Sequence, residues 1–273
     1  MSAERPLSGR TALITGGSRG IGAASARALA ALGATVVVTY HRDRAAAEKV
    51  AVGIREQHAV PVHLVTFNLT AAETAPEGAD ALLEAVARVV DSVDILVANA
   101  AAPYPKVPLL ELSARQLSGK LGHDIGSVHR LVTAVAPGML DRGYGRIMLI
   151  GSLQADGPSA PGMAANGVSK AALAAYVAYA VDELTGPGVT VNLIHPGYIG
   201  TEASSHLPPA IPAMIAGLTP VGRTGTPDDV AGVVAMLARD EASFLNGARL
   251  PVSGGLNSPI SYRRLQSLKE PTL

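Results

Sequence analysis

Thr15-Gly16-Gly17-Ser18-Arg19-Gly20-Ile21-Gly22 is the first stretch whose residue types and spacing could do chemistry. It follows an apolar run, Thr11–Thr15, and opens a helical pattern. Glycines at such a place allow positive φ and close approach of backbone to a pyrophosphate. The helix N-terminus then adds free N–H donors and partial positive charge. Gly16, Ser18, Arg19, Gly20, Ile21 and Gly22 are therefore the candidate phosphate cradle. An ordinary strand-to-helix turn is the alternative, and the strand and helix on either side favour a nucleotide. About 20 residues further on, a chain of this build that takes NAD carries Asp or Glu for the ribose 2′-OH. Here Val38-Thr39-Tyr40-His41-Arg42 holds no acid before Asp43. Arg19 and Arg42 offer guanidinium groups that suit a 2′-phosphate, with two solvated arginines as the other reading. The expected cofactor is NADP(H) rather than NAD(H).

The elements that must position this loop alternate along the chain. Strands are expected at Thr11–Thr15, Thr35–Tyr40, Val62–Phe67, Asp94–Val97, Ile147–Ile150, Val189–Ile194 and Ala248–Val252. Helical spacing runs through Ile21–Leu32, with Gly33 as its C-terminal stop, and through Arg44–Gln57, Gly78–Val90, Val168–Leu184 and Asp228–Ala238. A long helix is expected near Leu121–Leu140, interrupted at its end by Pro137 and Gly138. Pro196–Pro227 reads as a looser segment rich in Pro and Gly. Strand followed by helix, repeated about six times, specifies a Rossmann-like doubly wound parallel sheet covered on both faces. Neither a linker nor a composition break divides the chain, so one domain is expected over 1–273, with its core at about 9–255 and a tail from 256.

Composition removes several function classes. The 273 residues balance 22 basic against 22 acidic side chains, which leaves no electrostatic footprint for nucleic acid or anionic lipid. With no Cys, the chain has no thiolate nucleophile and no Cys-held metal site. His123, His129 and His195 have no metal-like spacing, and no metal is expected. Met1–Arg10 lacks the apolar stretch of a signal peptide, and the most apolar run, Ala171–Val181, is too short for a bilayer. The expectation is a soluble, cytoplasmic protein that does not engage membranes.

Taken together, the motifs resemble those of the short-chain dehydrogenase/reductase family, over about Gly9 to Gly255. The string TGGSRGIG matches the family's TGxxxGxG. Asn99-Ala100-Ala101 stands for its NAG, Ser152 follows the fifth strand, Ser169–Leu173 matches its SKAAL, and Pro196-Gly197 ends the sixth strand. The resemblance implies that Asn68 lies near the adenine and Asn99 beside the cofactor. It implies that Lys170 holds the ribose hydroxyls, that Pro196 and Gly197 line the cofactor, and that Thr201 reaches the nicotinamide carboxamide. It also implies hydride exchange between nicotinamide and a carbonyl or alcohol, in a homodimer or homotetramer.

One chemical group of that family is missing. A Tyr four residues before the Lys donates the proton there, its pKa of about 10 lowered by the adjacent ammonium. Four residues before Lys170 stands Asn166, and seven before, where the enoyl-reductase branch carries its Tyr, stands Met163. The usual Asn of the preceding helix falls on Asp124, so the tetrad reads Asp124, Ser152, Asn166, Lys170. An amide donates a hydrogen bond but does not transfer a proton at neutral pH. Asp124 could hold the Lys170 ammonium and shuttle protons through water, or simply be a polar helix residue.

Three readings follow. The first is an NADPH-dependent reductase of an activated acceptor (an enone, iminium or quinone-methide-like group), in which a strong proton donor matters less. The second is a non-redox cyclase, isomerase or dehydratase that keeps NADP as scaffold, and the third a nucleotide-binding protein without catalysis. Substrate walls are expected from Ala101–Val107, Leu153–Met163 and Gly197–Leu218, the last a possible lid. Tyr104, Met163 and Tyr198 are candidate substrate contacts. These walls are poor in charge, which favours a fairly apolar small molecule, as in polyketide or other secondary metabolism. Tyr176 and Tyr179, in the Ala-rich helix after Lys170, suit packing or subunit contact, and Tyr40, Tyr144 and Tyr262 suggest no site role.

Overall fold

A strand buried on both faces alternates its side chains between two cores, and the central strands do this. In the computed structural model, which describes residues 5–71, 78–157, 160–184, 186–205 and 207–258, seven strands form one parallel sheet. They are β1 (Thr11–Ile14), β2 (Thr35–Tyr40), β3 (Val62–Thr66), β4 (Ile95–Ala98), β5 (Gly145–Ile150), β6 (Val189–Pro196) and β7 (Arg249–Val252). Their order is β3-β2-β1-β4-β5-β6-β7. Leu13 faces Leu96, Leu96 faces Ile147 and Ile147 faces Val191, a buried row across the centre.

The helices divide by face. Ile14, Val38, Val97 and Ile150 pack with α1 (Gly20–Ala31), α2 (Arg44–His58) and α7 (Pro227–Leu237). Leu13, Leu96, Leu149 and Leu193 pack with α3 (Ala79–Ala87), α4 (Ala114–Asp141) and α5 (Ala164–Leu184). A further helix, α6 (Ala210–Leu218), covers part of the long segment after β6. The expected doubly wound parallel sheet is the observed one.

Two expectations need correction. α4 is continuous through Pro137 and Gly138, and it starts at Ala114 rather than near Leu121. Ser113 caps it through a reciprocal box with Gln116, and burial of Val132, Val135, Ala136 and Met139 outweighs the missing Pro137 N–H. The segment Pro196–Pro227 is not wholly irregular, because Ala210–Leu218 is helical. Its Pro212 sits in the first turn, where an N–H has no intrahelical acceptor to lose. Tyr262, Pro158 and Ser159 of one expected wall, His206 of another, and most of the tail lie outside the described residues. Among those described, no helix is long and apolar enough to cross a membrane.

Candidate active site

Where the strand order reverses, β1 and β4 lie side by side and their following loops open a crevice. The glycine loop fills one lip. Gly16 takes φ +64° and Gly20 φ +53°, the left-handed region that glycine occupies at least cost. A side chain at position 22 is excluded outright, since a Cβ there would meet the Gly16 carbonyl and lie 2.7 Å from Asn99 Nδ2. Arg19 is the N-cap of α1 and brings no side-chain cap, so the first-turn N–H groups are left for another acceptor. A tight turn, a close backbone approach and an uncapped helix start together fit a pyrophosphate.

The β4 loop braces this cradle. Asn99 Nδ2 donates to the Thr15 and Gly16 carbonyls at 2.9 and 3.2 Å, and the Asn99 and Ala100 N–H groups donate to Thr15 Oγ1. Thr39 Oγ1 accepts from the Gly16 N–H at 3.0 Å. Asn68 follows β3, but its Oδ1 accepts from the Thr70 N–H and hydroxyl, closing a local turn. Arg19 and Arg42 are both exposed, and Arg19 lies 3.4 Å from Asp43 and 3.7 Å from Glu202. Asp43 itself caps α2 by accepting from the Ala46 N–H. Ser18 and Ile21 stay half-buried at the mouth.

On the sixth strand's side, the Gly197 N–H donates to the Val252 carbonyl, and Pro196 is the last residue of β6. Thr201 caps a short 3-10 turn, Glu202–Ser204, and its methyl would lie 3.4 Å from a Cβ on Gly20. Thr201 therefore stands over the glycine loop. Tyr198 and Thr201 line a cavity of about 540 Å³ with Gly20, Glu202, Leu207 and Pro212.

Beyond it lie the tetrad positions. Ser152 Oγ accepts from the Gln154 N–H at 3.2 Å, and Asn166 Nδ2 donates to Gln154 Oε1 at 2.8 Å. Lys170 is buried, and its Nζ donates to the Ile150 carbonyl at 2.8 Å. Burial lowers the Lys170 ammonium from 10.5 to about 8; Asp124 opposes that shift and Lys120 adds to it. Asp124 is also buried, and each oxygen is committed. Its Oδ1 accepts from the Ala102 N–H at 2.8 Å, and its Oδ2 accepts from Ser169 Oγ and Lys120 Nζ, both at 2.7 Å.

Lys120 is the site residue that sequence reasoning missed. Only 3% exposed, it ion-pairs with Asp124 and donates to the Ala102 carbonyl at 2.6 Å. Lys120 and Asp124 thus hold both ends of residue 102 at the mouth of the β4 loop. The i,i+4 spacing of the pair was readable, but starting the helix near Leu121 leaves Lys120 outside it. Gln154 and Ser169 carry no sequence signal for their roles, which arise from loop-to-helix approach: a Cβ on Gly167 would lie 2.9 Å from the Gln154 carbonyl.

A cavity of about 590 Å³ opens between the 3-10 turn Leu153–Ala155 and the start of α5, lined by Gln154, Asp156, Met163 and Gly167. Its other rim is Pro108 and Leu109 rather than the expected Ala101–Val107. That loop reaches the wall through Tyr104, whose hydroxyl lies 3.3 Å from Met163 Sδ. His195 sits behind it, 2% exposed, 3.4 Å from Asp156, with its Nε2 unpartnered among the described residues. Burial pushes the His195 imidazole below its ordinary range. Among the described residues, no group of His, Asp and Glu could hold a metal.

Known proteins match this chain across almost its whole length. The family described as enoyl-(acyl carrier protein) reductase matches residues 16–257. The 3-oxoacyl-[acyl-carrier-protein] reductase FabG of Escherichia coli (strain K12) is 34% identical over 249 residues, covering 91% of this chain and 97% of its own. A short chain dehydrogenase from Burkholderia cenocepacia J2315, solved with NADP, superposes with a TM-score of 0.81 at 32% identity, over 93% of this chain and 100% of that one. A gluconate 5-dehydrogenase from the same organism, solved with NADP and tartrate, gives 0.83 at 29% identity, over 95% and 100%. With the glycine crevice, the strand order and these matches in agreement, the chain belongs to the short-chain dehydrogenase/reductase family.

Proposed function

We propose that the protein is an NADP(H)-dependent reductase of activated, conjugated small molecules. The observation that carries this reading is the pairing at position 166. The side chain there is an amide tied to Gln154, while the glycine cradle and the buried Lys170 are formed. The family description that matches the chain names the reduction of a conjugated bond, and two structural neighbours hold NADP.

The α1 N-terminus with Gly16, Ser18, Gly20, Ile21 and Gly22 would take the pyrophosphate. Arg19 and Arg42 would take the 2′-phosphate, and Asn68 would lie near the adenine. Lys170 would take the ribose hydroxyls, and Thr201 with Pro196 and Gly197 the nicotinamide end. When bound, the reduced nicotinamide supplies a hydride. Ser152 Oγ accepts from the Gln154 N–H, which leaves its own proton to donate to the acceptor oxygen. The Lys170 ammonium, fixed on the Ile150 carbonyl, adds positive charge where negative charge develops. Asp124 acts as a positioning residue that clamps Ala102, since its oxygens are already committed. The Ala- and Pro-rich cavity wall supports an apolar substrate. The exposed Val168 and Tyr179 on α5 support a subunit contact.

The test is NADPH oxidation with a panel of enones, iminium compounds and simple ketones, for wild type and Asn166→Tyr. Wild type is expected to reduce conjugated acceptors and leave simple ketones alone, and the variant to gain ketone reduction. Turnover that proceeds without any nicotinamide absorbance change would overturn the reading.

A further inference from the structure

Ser152 offers the acceptor oxygen a hydrogen bond, but neither its hydroxyl nor the amide at 166 is an acid that would give that oxygen a proton. Among the other described tyrosines, Tyr198 lines the separate 540 Å³ cavity and Tyr40 ends β2. Tyr144 donates to the Ala238 carbonyl deep in the core, Tyr176 meets His129, and Tyr179 is 70% exposed. Tyr104 differs. Its ring is half-buried on the loop after β4, and its hydroxyl faces the thioether of Met163 at 3.3 Å. Sulfur of this kind is a weak acceptor, so a carbonyl or enolate oxygen would displace it with a gain in hydrogen bonding.

We propose that Tyr104 is a catalytic residue of this enzyme: its phenol donates a hydrogen bond, and then its proton, to the acceptor oxygen of the substrate. The inference rests on the reductase reading above. Three observations carry it. Met163 lines the 590 Å³ cavity, so the Tyr104 hydroxyl, 3.3 Å from its sulfur, touches a side chain of that cavity's wall. The loop is rigidly mounted, because the Ala102 N–H and carbonyl, two residues earlier, are held by Asp124 and Lys120. The Lys120 ammonium lies 5.2 Å from the Tyr104 ring centroid, within cation–π reach.

The step balances. A bound reduced nicotinamide would supply the hydride for the β-carbon of a conjugated carbonyl, whose C=C and C=O electron pairs then shift toward oxygen. That oxygen bonds the Tyr104 proton as the phenol O–H breaks, and the phenolate regains a proton from water. Burial raises the Tyr104 phenol above its ordinary value, so it stands protonated at neutral pH.

The test is Tyr104→Phe, which keeps the ring. Cyclohex-2-enone reduction with NADPH is expected to lose about 100-fold in kcat, as general-acid removal does, with KM for NADPH unchanged. In a second arm with oxidised NADP, where no turnover occurs, cyclohex-2-enone is expected to perturb the tyrosine difference spectrum of wild type and not that of the variant. A variant with kcat within twofold of wild type, or a wild-type spectrum that the enone leaves unchanged, overturns the assignment. If wild type itself consumes no NADPH with any acceptor, the reductase reading falls, and the spectral arm still decides whether this phenol meets the enone oxygen.

Discussion

Lys120→Met should be among the most damaging single substitutions outside the sheet. The Lys120 and Asp124 side chains are 1% and 2% exposed and stand 2.7 Å apart. Without the ammonium, the Asp124 carboxylate keeps only the Ala102 N–H and the Ser169 hydroxyl, and the Ala102 carbonyl loses a 2.6 Å donor. Breaking a buried pair by removing one partner costs about 3–5 kcal/mol, most of it from the uncompensated charge. At roughly 2–4 °C per kcal/mol for a large domain, the melting temperature should fall by roughly 6–20 °C. Pairing the change with Asp124→Leu removes the stranded charge as well, and should return most of the loss, since apolar replacement of a buried pair is commonly near neutral. The assay is thermal and urea unfolding of wild type, the two single variants and the double variant, at low and high salt. A buried pair is screened little, so the single-variant loss should persist at high salt. A Lys120→Met melting temperature within about 2 °C of wild type, or a double variant no better than the single, would refute the reasoning.

Gly22→Ala should abolish NADPH binding in a fluorescence titration, because the new methyl meets the Gly16 carbonyl backbone; retained affinity would contradict the tight cradle. Removing both arginines, Arg19→Ala with Arg42→Ala, should weaken NADPH by about 10- to 100-fold and NADH little, at about 1.4 kcal/mol per tenfold; equal loss for both cofactors would argue against a 2′-phosphate site. Lys170 is lowered from 10.5 to about 8 by burial, so between those pH values the unfolded chain binds a proton that the folded one does not. Stability therefore rises with pH across that window, by on the order of 1–3 kcal/mol, and is flat with respect to this group below it. Urea unfolding at a series of pH values should show that rise in wild type without cofactor and not in Lys170→Met; identical slopes would sink the argument.

Local patterning and motif spacing carried much of the fold. Short apolar, β-branched runs such as Thr35–Tyr40 mark strands buried on both faces whatever they pair with, so the strands could be read one by one. The glycine cradle was equally legible, because its φ angles and close approaches are local demands that only glycine meets. That Asn166 stands four residues before Lys170 was legible too, as an address relative to that lysine. Continuity of α4 through Pro137 was not, since a local penalty is outweighed there by burial against the sheet. Nor was the fate of Asp124, which spacing left equally suited to a proton shuttle or a solvated helix face.

The sequence by itself determined a doubly wound fold and placed Asn166 four residues before Lys170, because both follow from residue types at fixed separations along the chain. Only the tertiary structure decided which groups gather around the candidate site. It brought Lys120, Asp124, Ser169 and the Ala102 peptide into one buried cluster, and set Tyr104 against Met163, 59 positions away. Contacts between a loop and two helices depend on how the sheet stacks them, and no periodicity along the chain encodes that distance.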